Sequence, residues 1–276
     1  MNQPVNMLKQ KLSLLFIATV FSFSTFAQAT HAITDPEKNY KDAKELFVKE
    51  QYALAYPLFA ALKAQNPDNT TSDHAYINDD VNYYYIVCQL KLQQPAAEQQ
   101  ARHYVDVVSN EPRRELMSYH LAKYYFLKDD YSNAINYYER AGLENLSNDE
   151  IADAKFHKAY CYFNLKQFGE AKGLFDEIHQ MPESKYYIPA NYYYGFISYY
   201  ERNYNEALKA FKLVETQEEY KGVVPYYIAE IYYFQGKKEE ALKYGESVLG
   251  RPGTLFYQKE MNLLIGQIYF EKKNYQ

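Results

Sequence analysis

The chain is predicted to be all-α, a solenoid of stacked antiparallel helix pairs, and three observations predict it. The first is a spacing. A small residue is followed nine positions later by an aromatic and three positions after that by an alanine. Ala43, Tyr52 and Ala55 keep it, as do Ala122, Tyr131 and Ala134, then Ala159, Phe168 and Ala171, then Gly195, Tyr204 and Ala207. Two partial copies follow: Ala229 and Ala241 with Lys238 at the aromatic position, and Gly266 with Tyr275. From Ala122 onward the period is 34 to 37 residues, which marks stacked supersecondary units rather than one core. The second observation is where the large rings fall. Phe59, Tyr138, Phe175 and Phe211 lie four positions after the alanines, and Tyr125, Tyr162, Tyr232 and Tyr269 lie three after the small residues. Both spacings keep the ring on one helical face beside its small neighbour. The third is punctuation: Lys128-Asp129-Asp130, Lys166-Gln167, Arg202-Asn203, Gln235-Gly236-Lys237 and Lys272-Lys273-Asn274 each interrupt the apolar period just before the aromatic position.

Taken in order, the elements begin after a leader. Lys9 and Lys11 precede an apolar run from Leu12 to Phe26, and Ala27-Gln28-Ala29 supplies a small-x-small cleavage site, so residues 1–29 are read as a secretory signal peptide. The run is shorter than the ~20 residues that span a bilayer, and no cysteine follows it to carry a lipid anchor. Nothing downstream reads as a transmembrane segment. Asp35 and Pro36 open the first helix, proline being harmless in a first turn. Residues 30–276 then read as one solenoid, with units at about 37–67, 76–112, 114–147, 150–182, 188–220, 223–252 and 257–276. The turn-rich stretch from Asn66 to Asp73 is the one long connection. Asn69 and Asn145 head glycan acceptor triplets that count only in a glycosylating host.

Two units depart from the pattern. In the second, Ala97 and Ala101 allow more than one register; in the sixth, Gly245 stands where a packing aromatic is due. Distortion of the stack is expected at both. The last unit stops after its first helix and turn, which leaves Leu264, Ile265, Ile268, Tyr269 and Phe270 expected to lack a partner helix. Two explanations stand: the sequence is the N-terminal part of a longer protein, the reading preferred here, or the final helix packs unpaired.

The small–aromatic–alanine–aromatic series, with closing prolines at Pro67, Pro112, Pro182 and Pro252, resembles the tetratricopeptide repeat over roughly residues 37–276. Tyrosine- and asparagine-rich units behind a signal peptide also look like exported repeat proteins of Gram-negative bacteria such as the Bacteroidetes. The resemblance implies that the first helix of each unit lines a concave groove and that the groove receives a partner protein or extended peptide. Inward positions in the three units from 150 to 252 select Phe156, Tyr160, Phe163 and Asn164, then Tyr192, Phe196, Tyr199 and Tyr200, then Tyr226, Glu230, Tyr233 and Phe234. Flat rings with wettable hydroxyls suit an extended peptide, a proline-rich segment or a sugar chain. They equally suit packing between units. Lys44, Lys123 and Asn164, in three different units, are too sparse for the family's carboxylate clamp.

Composition excludes other classes. The net charge is −5, and loss of Lys9 and Lys11 with the leader carries it to −7. An acidic chain without a Lys/Arg block suits neither nucleic acid nor an anionic membrane. No HExxH, CxxC or glycine-rich phosphate loop occurs. His31, His74, His103, His120, His157 and His179 never fall at metal-ligand spacing, and His120 and His157 read as hydrogen-bonded structural residues. Cys88 and Cys161 lie one whole unit apart, beyond the ~4.4–6.8 Å between Cα atoms that a disulfide needs. No cofactor, metal site or catalytic group is expected. The function read from the sequence is an exported, non-enzymatic scaffold, periplasmic or associated with the outer membrane through its partners, supporting an envelope assembly or secretion machine. A glycan-binding surface protein is the alternative, weakened by the absence of tryptophan; a third is the docking arm of an enzyme whose catalytic domain lies beyond residue 276.

Overall fold

The computed structural model describes residues 36–65, 75–251, 253 and 255–272. The leader, Pro67, Asn69, Pro252 and Tyr275 lie outside the described residues, within which there are thirteen α-helices and no strand. They are α1 (Pro36–Val48), α2 (Tyr52–Gln65), α3 (Ala75–Lys91), α4 (Ala97–Val107), α5 (Glu111–Phe126), α6 (Tyr131–Arg140), α7 (Asn148–Asn164), α8 (Phe168–His179), α9 (Tyr187–Tyr200), α10 (Tyr204–Val214), α11 (Val224–Phe234), α12 (Lys238–Leu249) and α13 (Gln258–Glu271). Cα proximity divides the chain into compact units 1–81 and 82–276.

In the first unit α1 and α2 form a hairpin. Ala43 and Ala55 are fully buried, which lets Phe59 fill the gap with Phe47 edge-on at 6.4 Å. In the second unit α5 pairs with α6, α7 with α8, α9 with α10 and α11 with α12. Its core is serial. Ala159, Phe175 and Ile197 belong to one buried cluster, Ala207, Phe211 and Ile228 to the next, and Ala229, Val248 and Ile268 to a third. Each cluster is closed by the next helix in the series, α9, α11 and α13 in turn, as expected of a quasi-one-dimensional array.

The helix starts are local chemistry. Asn110 accepts from the Arg113 N–H, Asp130 from the Asn133 N–H, and Ser147 with Glu150 makes a reciprocal capping box at the head of α7. Hairpin turns repeat one motif. The N–H of Gln51, Gln94, Asp130, Gln167, Asn203 and Lys237 reaches five residues back, at 2.8–3.0 Å, to the carbonyls of Leu46, Gln89, Tyr125, Tyr162, Ser198 and Tyr232. The preceding residue is left-handed in each: Glu50, Gln93, Asp129, Lys166, Arg202 and Gly236, with φ between 52° and 75°. This is the helix C-cap that favours glycine, and five of the six turns build it without one. Lys166→Gly is therefore expected to raise stability by about 0.5–1 kcal/mol, and Gly236→Lys to lower it by a similar amount. Urea midpoints check both, and no movement in either contradicts this account of the turns.

Where the pattern departs, the structure compensates. The turn before α4 is longer, from Leu92 to Ala96, and both Ala97 and Ala101 are fully buried. At Gly245 the missing aromatic is replaced from α13: a methyl there would meet Met261 Sδ and Ile265 Cδ1 at 3.1 Å. At α13 an expectation fails. Leu264 and Ile268 do not lack a partner, because with Met261 they form the i, i+3, i+7 stripe buried against α11 and α12. The solvent face carries Leu263, 73% exposed, and Phe270, 67% exposed.

Candidate functional site

The aromatic strip predicted along the first helices exists, but it is mostly a ladder between neighbours. Phe156 stacks on Tyr186 at 4.4 Å, Tyr192 on Tyr220 at 4.5 Å, and Tyr226 meets Tyr257 at 5.1 Å. Each partner ring sits on the connection leading into the next first helix, so it covers the ring before it. Tyr160 lies edge-on to Phe126 and Tyr193. Phe196 packs between Phe163 and Tyr227. Tyr199 donates to Glu230 at 2.5 Å, and Tyr233 to Glu271 at 2.8 Å. All these groove residues are half-buried. Asn164 is exposed and donates back to the Tyr160 carbonyl. Two rings stand out toward solvent: Tyr200, 65% exposed, and Phe234, 49% exposed.

Sequence reasoning missed Tyr186, Tyr220 and Tyr257. A signal existed: each follows the covered ring by 28 to 31 residues and immediately or closely precedes the next first helix. It placed Tyr125 and Tyr162 but missed the carboxylates that they and Tyr244 reach, Tyr125 to Glu98, Tyr162 to Glu139 and Tyr244 to Glu215, at 2.5–2.8 Å.

A second constellation lies among α5, α6, α7 and the approach to α9; His120 and His157 are hydrogen-bonded in it as expected, and its central Asp153 was not foreseen. Asp153 is buried on α7. Lys123 donates to it, Lys185 approaches at 2.8 Å, the Tyr186 hydroxyl at 2.6 Å and the Tyr119 hydroxyl at 3.4 Å. Burial works against the carboxylate, yet the bonds from Lys123, Lys185 and Tyr186 outweigh it and hold Asp153 well below the usual range. His157, one turn on, stacks on Phe126 at 4.0 Å and meets the Tyr138 and Tyr186 hydroxyls. Burial pushes its pKa down to about 4; Lys123 and Lys185 add to this while Asp153 opposes it. His120 on α5 is pushed well down by burial and by Lys91 and Lys123, and meets the Tyr83 hydroxyl at 3.1 Å. The Asp153 carboxylate, its lysines and the tyrosine hydroxyls face other protein groups and so join elements, while the buried His120 Nδ1 has no hydrogen-bond partner. Cys88 and Cys161 are buried thiols, pushed up to about 12 by burial, which suppresses thiolate chemistry. Among the described residues no cluster of His, Cys, Asp and Glu is placed to hold a metal ion, and no helix is long and apolar enough to cross a membrane.

This geometry agrees with solved structures. The fold is similar to YrrB, a TPR protein described as having an unusual peptide-binding site, at 16% identity, with 78% of this chain and 97% of that chain covered and a TM-score of 0.52. It is similar to Pseudomonas aeruginosa PilF at 13% identity, 86% and 97% coverage and a TM-score of 0.51. A tetratricopeptide repeat protein from Parabacteroides merdae matches at 17% identity, 87% of both chains and a TM-score of 0.49. No family model matches the sequence, and no curated protein does. At such identities the likeness is one of fold: the chain has the tetratricopeptide-repeat fold.

Proposed function

We propose that this protein is a non-enzymatic scaffold that binds a partner protein through an extended segment laid along its first helices. The observation that carries the reading is the exposure of Tyr200 and Phe234 on a ladder whose other rings are held by their neighbours. A rigid platform with a few outstanding rings is how interfaces concentrate binding energy. The described peptide site of YrrB, on the same fold, supports the class of ligand. The leader read at residues 1–29 supports export, and the resemblance to exported repeat proteins supports service in the periplasm or at the outer membrane through partners, in envelope assembly or secretion.

The half-buried rings are poor test positions, because Tyr192, Phe196 and Tyr199 pack into a core cluster and their loss would loosen the array. Tyr200→Ala with Phe234→Ala is the cleaner variant. It is expected to weaken binding of peptides selected on the wild-type chain by about tenfold or more, with unchanged helical circular dichroism. Full affinity in the double variant moves the site off this face.

A further inference from the structure

Exposed Phe234 adjoins, through Tyr204, a polar cleft that the groove positions do not include. It is lined by Arg202 and Asn203 from the α9–α10 turn, by Asn205 and Glu206 from the first turn of α10, and by Gln235 and Lys237 from the α11–α12 turn. Tyr204, also lining it, stacks on Phe234 at 5.6 Å and so fixes one turn against the other. The Gln235 amide donates to Asn205 Oδ1 at 3.0 Å, a second link between the turns.

The hydrogen-bonding state of this lining selects a ligand chemistry. Glu201 and Glu206 are both engaged by Lys172, at 2.7 and 3.1 Å, and the Asn203 amide also donates to Glu201, at 3.2 Å. The Asn205 oxygen is taken by Gln235, whose own Oε1 is buried. Among the described residues Arg202 and Lys237 form no ion pair. The open polar surface is therefore a guanidinium, an ammonium and the Asn205 N–H groups, against Asn203 Oδ1 and a half-exposed Glu206 carboxylate whose charge Lys172 offsets in part. Donors in excess call for a ligand that only accepts, and a carboxylate does so. A sugar hydroxyl both donates and accepts and would leave the cations unmatched. Two isolated cations on a chain of net charge −5 fall far short of a nucleic-acid track.

We propose that this turn cleft receives an acidic, extended segment of the partner protein, its Asp or Glu side chains against Arg202 and Lys237 and an adjoining apolar side chain on Phe234. The inference rests on the scaffold reading and sharpens it, since it names the chemistry of the segment. It also places recognition on two hairpin turns, apart from Lys44, Lys123 and Asn164 of the first helices.

The test is selection of a random dodecapeptide display library on the full chain, followed by affinity measurement of the enriched peptides on wild type and on R202E/K237E. Both residues are exposed, so the variant keeps the fold, which circular dichroism checks. Expected are sequences with Asp or Glu beside Phe, Tyr or Leu, a loss of about tenfold or more on R202E/K237E, and weakening from roughly 50 to 500 mM salt. Enriched peptides that lack acidic residues, or that bind R202E/K237E equally, overturn the acidic-segment inference and leave the scaffold reading standing. A selection that enriches no peptide, with maltoheptaose bound by wild type and variant alike, overturns both.

Discussion

Phe211→Ala is expected to lower the unfolding free energy by about 3–5 kcal/mol, the range for deleting a fully buried phenylalanine. The ring lies at the junction of three helices. It stacks on Tyr227 of α11 at 5.6 Å, sits 6.4 Å from Tyr192 of α9, and presses on Gly195, where an added methyl would fall 3.0–3.1 Å from its edge and 3.2 Å from Ala210 Cβ. Because neighbouring clusters are closed serially, a cavity here loosens both flanking interfaces. A coupled variant makes the claim specific. Gly195→Ala alone is expected to cost about 1–3 kcal/mol by overpacking. In the Phe211→Ala background only the Ala210 Cβ contact at 3.2 Å remains, and the helix preference for alanine offsets it, so the same methyl should be close to neutral. The thermodynamic cycle therefore carries a coupling of about 1–3 kcal/mol of compensating sign. Additive effects measured by urea unfolding would show that the two helices do not approach at this pair.

Acid is expected to destabilise the fold from pH 6.5 downward, well above the range where exposed carboxylates titrate. His157 titrates near pH 4 in the fold and near 6.5 when unfolded. The folded state then binds fewer protons in that window, so stability is complete above pH 6.5 and falls as the pH drops toward 4, by on the order of 3 kcal/mol. The groups facing the ring are Asp153, Lys123, Lys185 and the Tyr138 and Tyr186 hydroxyls. His120 contributes a slope of the same sign. Asp153, also depressed, adds a further loss only when the pH falls below its unfolded value near 3.9. Replacing both histidines, His120→Gln with His157→Gln, should flatten the stability profile between pH 6.5 and 4. A wild-type profile already flat there would mean that His157 is protonated within the fold.

The parts legible from sequence are those governed by spacing along one helix or one hairpin. Ala159 and Phe175, or Ala207 and Phe211, announce their burial because a small residue and a ring must recur in register for two helices to close. Contacts between units were hidden for a related reason. Tyr186, Tyr220 and Tyr257 sit on connections of differing length, so no strict period exposes them. Asp153 finds Lys123 thirty residues away only once the helices are stacked. Leu264 and Leu263 are adjacent and equally apolar, yet rotation of α13 against α12 buries the first and exposes the second.

The sequence by itself thus determined that this is a helical repeat array, and which small residues and rings close the four hairpins that keep the full spacing, because local packing at fixed spacing leaves one solution. The tertiary structure decided which aromatic rings remain available. Tyr192 and Tyr200 look alike in the chain, but only stacking brings Tyr220 over the first while leaving the second in water. The physical reason is that exposure is set by what the next unit places on a residue, and the residue's own period does not contain that information.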